Sequence, residues 1–315
     1  MRHTILMYIT AGMLAAGFSA AVGAQGRVVK KDPYEVKPPT RQQVQEAREW
    51  ARDLGKKARQ VAPRLHMGET AHFYLFSAFT KKADDKRFSD TAERMYKELC
   101  RQFKADPRTV WVDKCPIFAF ENAKQYVAFC KAIGVDAAVA EKSGGLMYSR
   151  NGNVCIVLNA TADETQFYHT MVHEGTHGFM ARYLTIRPIP VWVNEGIAEY
   201  TCAAVIENGR ASKMWQEATK QVLAGEKKPQ VIFDDVWQMD SFHYGMAHAL
   251  VRYMIQKDGN AFSKFIRLMK QGESEEKALK TAYNTDRAGL IRGWLAAAEK
   301  MLKAAEKAAE KTAEK

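Results

Sequence analysis

Apolar positions recur at two different periods along this chain, and the change of period maps its organisation. Phe88, Ala92, Met95, Tyr96, Leu99 and Phe103 are spaced as one face of an α-helix. His72–Phe79 is an aromatic-rich run of strand character, and the β-branched stretch Thr109–Val112 predicts a second short strand. Glu121–Ile133 returns to helical spacing. Asn151-Gly152 then separates GGLMYSR from NVCIVLN. Asn-Gly supplies the two positive-φ positions of a tight type I′ turn, so a hairpin is expected there. Asp163 and Gln166 form a capping-box pattern that opens a long helix over about Glu164–Leu184. Pro188 and Pro190 interrupt the chain, and a second helix starts near Asn194. Thereafter the pattern is helical over 211–223, 242–256, 260–270, 274–283 and 286–311. Upstream, Thr40 with Gln43 is a further capping box, opening a polar helix that reaches about Val61. The fold class expected is α+β: a small N-terminal mixed sheet with an edge hairpin, followed by a mainly helical C-terminal part.

The ends read differently. Arg2 precedes an apolar run from Ile5 to Val22 that closes on the small residues Val22-Gly23-Ala24. Gly12, Gly17 and Ser19 break the run, so residues 1–24 predict a secretory signal peptide cleaved near Ala24 rather than a stable membrane anchor. The mature protein is then expected in the periplasm or medium. Residues 25–69 read as a flexible, proline-bearing leader and the polar helix, 70–200 as an α/β subdomain, 201–298 as a helical subdomain, and 299–315 as a Lys/Glu/Ala-rich tail. The formal charge of +11 is spread through the chain. It admits acidic partners, but without a basic helix or aromatic-basic cluster it predicts no nucleic-acid binding. The five cysteines, Cys100, Cys115, Cys130, Cys155 and Cys202, contain no CxxC spacing. A zinc-thiolate site is therefore not expected, and the odd count leaves at least one thiol unpaired.

Candidate chemistry concentrates in residues 173–177, His-Glu-Gly-Thr-His. Helix positions four apart share a face, so His173 and His177 can present two imidazoles to one metal ion. Glu174 lies about 100° further round and can reach a water on that metal instead of competing for it. The surrounding helix is apolar, and buried polar groups need partners. A hydrolytic zinc site needs three protein ligands and one open position. Glu195 follows His177 by eighteen residues, enough chain to finish one helix, turn at the prolines and return antiparallel. One Zn2+ per chain is expected, on His173, His177 and Glu195. Glu199, one turn on, is placed to take the second ring N–H of His173 or His177. His169, one turn before His173, reads as a satisfied core histidine.

HEGTH followed by NEGIAEY resembles the gluzincin peptidases, and the wider layout from about Thr70 to Gly259 is similar to the peptidase MA-like branch of that clan. The resemblance implies a zincin-like unit with His173, His177 and Glu195 as ligands and Glu174 as general base. It implies also that the 145–150 strand is a cleft edge on which an extended peptide or protein substrate pairs. Similar peptidases bring a Tyr or His from a downstream helix to the oxyanion, which points to Tyr244 first and His243 second. The Gly-x-Met-Glu-Asn segment of gluzincin aminopeptidases is absent, which favours an endopeptidase, and so are the glycine and third His of the metzincins. Two other readings stay open at this stage. One is an inactive metal-bearing protein that binds peptides or envelope polymers; the other is a zinc amidase acting on cell-wall amides.

Overall fold

The computed structural model describes residues 36–160, 163–206, 209–234 and 239–313, with side chains as far as 307. The expected signal peptide lies outside the described residues. Among the described residues the sheet has five strands: β1 (His66–Glu69), β2 (Phe73–Ser77), β3 (Cys115–Phe120), β4 (Gly145–Arg150) and β5 (Asn153–Asn159), in the order β1-β2-β3-β5-β4. The three inner strands are parallel and the two edges antiparallel. β4 and β5 are the expected hairpin, closed by Asn151 and Gly152 at φ 51° and 77° with Arg150 opposite Asn153.

Strand alternation sorts the sheet's two faces. Phe73, Leu75, Ile117, Ala119, Ile156 and Leu158 join the larger core on one side, while Tyr74, Phe76, Phe118, Phe120, Cys155 and Val157 join a second core on the other. The second core is covered by α1 (Arg41–Val61) and α3 (Ala123–Ala132), with the short α4 (Ala137–Glu141) beside them. α1 opens on the expected Thr40–Gln43 capping box. The larger core holds α2 (Lys82–Phe103), α5 (Glu164–Arg182) and α6 (Val191–Val205). It continues without a break into α7 (Arg210–Leu223), α8 (Ser241–Lys257), α9 (Gly259–Lys270), α10 (Glu275–Tyr283) and α11 (Arg287–Ala313).

One strand falls elsewhere than expected. Thr109–Val112 is a turn, not a strand; its Val110 and Trp111 are buried, and the Val110 carbonyl accepts from Arg182 Nε at 2.9 Å. The strand is β3, which the sequence disguised. As a central strand covered on both faces it is apolar throughout and does not alternate. The five cysteines are buried free thiols. Burial pushes Cys100 up to about 11 and Cys130 to about 12, which leaves them inert at neutral pH. No helix among the described residues is long and apolar enough to cross a membrane.

Candidate metal centre

α5 is buried on nearly all sides, between the sheet, α2 and α6. Asp163 caps its start by accepting from the Gln166 N–H at 3.1 Å. At its far end the chain turns through Leu184 at φ 61°. There the α9 residue Lys270 reaches in, donating from Nζ to the carbonyls of Met180 at 2.8 Å and Arg187 at 2.6 Å. That clasp holds the short connection from which α6 returns along α5. Two glycines then set how closely the remaining helices approach. A Cβ on Gly196 would fall 2.5 Å from the Ala247 carbonyl oxygen of α8, and one on Gly245 would fall 2.4 Å from that of Met214 on α7. Each glycine directly follows a candidate site residue, Glu195 or Tyr244. The close helix contacts they permit bring those side chains to the histidines.

His173, His177 and Glu195 offer ligand atoms that all lie within 4.8 Å of one another. Glu195 Oε2 is 3.1 Å from His173 Nε2 and 3.5 Å from His177 Nε2. His173 Nε2 and Glu195 Oε2 are buried and within ion-pair distance of each other, yet neither makes a well-formed hydrogen bond. Two buried polar atoms left in that state are costly, and the cost disappears if both face a cation. Two imidazole nitrogens and one carboxylate oxygen are the donor set of a hydrolytic zinc site, so the residues present fit the metal.

The outward nitrogens are tied down. His173 Nδ1 is 3.0 Å from Glu199 Oε1, so of the two histidines expected for Glu199 it is His173 that it meets. His177 Nδ1 is 2.9 Å from the side-chain amide of Asn194. The atom that faces the ring is the amide nitrogen Nδ2, which donates to Nδ1; with Nε2 on a metal, Nδ1 would carry the proton and the amide, turned over, would present its oxygen to accept it. The sequence reading missed Asn194, although a polar side chain in the otherwise apolar first turn Val-Trp-Val-Asn was a signal. His169 is satisfied as expected: its Nε2 lies 3.1 Å from Glu199 Oε2.

Electrostatics follow from this packing. Burial raises the Glu195 carboxyl, but His177 and His173 outweigh it and hold the group at about 2. Burial likewise raises Glu199, and His169 with His173 carry it well below the carboxylate range. Burial opposes charge on His173, yet its neighbours Cys202, Glu195 and Glu199 raise it well above the ordinary imidazole range.

Glu174 is buried beside the three candidate ligands, and its Oε2 accepts the Met147 backbone N–H at 2.8 Å. The base candidate is thus anchored to the edge strand β4, a partner invisible in the sequence because it is backbone. Burial raises its carboxyl above the usual value, with His177 and His173 opposing. Tyr244 and His243 part company. The Tyr244 ring stands edge-on to His173 with centroids 6.0 Å apart, and burial, then the Glu195 charge, pushes its hydroxyl up. His243 instead turns Nδ1 to Asp240 at 2.7 Å, within the N-cap of α8 that Asp240 forms.

No curated protein matches this chain. A family model described as Peptidase MA superfamily matches residues 117–300, more than half of the 315 residues. The match takes in β3 from Ile117 on, both helices of the metal centre and α8 with Tyr244. The chain belongs to the peptidase MA superfamily, the zincin-like metallopeptidases.

Proposed function

We propose that this protein is an exported zinc endopeptidase in which His173, His177 and Glu195 hold one Zn2+ and Glu174 is the general base. The observation that carries the reading is the pair of buried, hydrogen-bond-free atoms, His173 Nε2 and Glu195 Oε2, meeting beside His177 and Glu174. A zinc ion held there by His173, His177 and Glu195 would supply Lewis acidity, lowering the pKa of water to roughly 7 and polarising a carbonyl. The chain's own groups do the rest. Glu174, with Oε2 fixed by Met147, takes the proton of the attacking water on its other oxygen and passes it to the departing amine. The Tyr244 hydroxyl donates to the oxygen that gains charge, a contribution on the order of 10²–10³ in rate. The β4 edge pairs with no other strand among the described residues on the side away from β5, and apart from the Met147 N–H that Glu174 takes, its main chain aligns an extended substrate by hydrogen bonds. Export rests on the signal-like start of the sequence.

The test is a mixed peptide library digested by the purified protein and read by mass spectrometry, before and after chelation and with zinc restored. Internal cuts that vanish with chelator and return with zinc are expected. Stepwise loss from one terminus would contradict the endopeptidase assignment, and cutting indifferent to chelator would overturn the metal mechanism.

A further inference from the structure

The polar face of α5 does not stop at the metal centre. His177, His173 and His169 succeed one another at four-residue steps along one face, and the antiparallel α6 answers with Glu195, Glu199 and Cys202. Glu199 stands between two histidines, with Oε1 3.0 Å from His173 Nδ1 and Oε2 3.1 Å from His169 Nε2. All three side chains are buried. A carboxylate in such a place has two oxygens to satisfy, and His173 engages only one. With a single donor its terminal torsion stays soft, because rotation about that bond is broad and nearly two-fold. A second donor one helical turn away, on the same rigid helix as the first, fixes the carboxylate plane.

We propose that His169 is a positioning residue: by holding the second oxygen of Glu199 it fixes the first on His173, and so sets the orientation of that imidazole and the zinc affinity of the centre. This rests on the metal-centre reading above and extends it one residue further from the ion. A rival occupant of the same place is a second metal, since His169, His173 and Cys202 also lie within 4.8 Å of one another. The hydrogen bonds argue against it. His169 Nε2 and His173 Nδ1 are both engaged by Glu199, and the Cys202 thiol donates to the His169 carbonyl at 3.4 Å. Those groups satisfy one another, whereas His173 Nε2 and Glu195 Oε2 do not.

The experiment measures zinc stoichiometry and dissociation constant by chelator competition in wild type, His169→Phe, His169→Gln, Glu199→Ala and the double variant His169→Phe/Glu199→Ala. Thermal unfolding of each metal-free form reports the fold separately. Losing a partner that orients a metal ligand costs about 10- to 100-fold in affinity; acting through one further residue, His169→Phe is expected near the lower figure, about 10-fold. Gln presents an amide N–H close to where Nε2 stood, so His169→Gln is expected to stay within about threefold of wild type. In the Glu199→Ala background the Phe substitution is expected to add nothing, because the group it acts through is gone. An unchanged zinc affinity in His169→Phe would overturn the proposal. So would equal weakening by Gln and Phe, or a Phe effect that persists without Glu199. Two zinc ions in wild type, one of them lost with His169, would establish the second metal instead. A wild-type chain that binds no zinc would remove the metal centre itself, a different outcome from any of these.

Discussion

Glu199→Ala is the perturbation whose cost can be worked most fully from the structure. The carboxylate is 2 % exposed and makes two hydrogen bonds, to His173 and His169. Truncation removes the acceptor that keeps the His173 proton on Nδ1 and its lone pair on Nε2. A loss of about 10- to 100-fold in zinc affinity follows, equivalent to about 1.4–2.7 kcal/mol. It also leaves two buried ring nitrogens without acceptors, at about 1–3 kcal/mol each. The metal-free variant should therefore melt below wild type as well. Glu199→Gln separates the two effects, since it fills the space and keeps one acceptor oxygen for His173. The assay is zinc competition against a chromophoric chelator at fixed pH, with circular dichroism of the metal-free protein alongside. The expected order of affinity is wild type, then Gln, then Ala. An alanine variant that binds zinc within about twofold of wild type would refute the argument that Glu199 orients His173.

Tyr244→Phe keeps the ring beside His173 and removes only the hydroxyl, so turnover should fall by about 10²–10³ while zinc content stays at one; undiminished turnover would withdraw its role at the oxyanion. Gly196→Ala places a Cβ 2.5 Å from the Ala247 carbonyl oxygen and must spread α6 from α8. Such overpacking costs about 1–3 kcal/mol, and scanning calorimetry should show a lower Tm; an unshifted Tm would show that the two helices have room to spare. Burial lowers the Lys270 ammonium to about 7 from an ordinary 10.5. Between those values the unfolded chain carries a proton the native one lacks, so stability rises with pH across the window, by up to about 1.4 kcal/mol per unit from this group. Lys270→Met should flatten that part of a urea-denaturation pH series, and an identical slope would show that Lys270 titrates normally.

What was legible in the sequence was what local geometry dictates. His173 and His177 sit four apart on a helix, and Asn151-Gly152 makes a turn wherever it is placed. The two prolines after α5 foretold the reversal that brings Glu195 and Glu199 across. The missed or misplaced features depend on tertiary surroundings. β3 is apolar on both faces and carries Pro116, so it showed no alternation, while Val110 and Trp111 looked like strand residues because packing selects the same side chains. β1, His66–Glu69, is a polar edge strand held by main-chain pairing to β2, which leaves no signature in side-chain pattern. At the site, the Met147 N–H that anchors Glu174 belongs to the backbone, and the division of labour between Tyr244 and His243 depends on how α8 is rotated. Adjacent residues on a helix point about 100° apart, and only the packing of α8 on α6 and α7 settles which of the two meets His173.

The central claim is that Glu174 moves the proton at a zinc site, and Glu174→Gln tests it most directly. Gln is close to isosteric, can still accept the Met147 N–H through its amide oxygen, and has no carboxylate to take a proton. The comparison is zinc content and initial cleavage rate of the variant and wild type on a peptide that wild type cuts internally. Loss of a general base lowers rates by about 10²–10⁴-fold. The expected result is one zinc in each protein and cleavage by the variant at background; a Gln variant that holds zinc and cuts as fast as wild type would contradict the account.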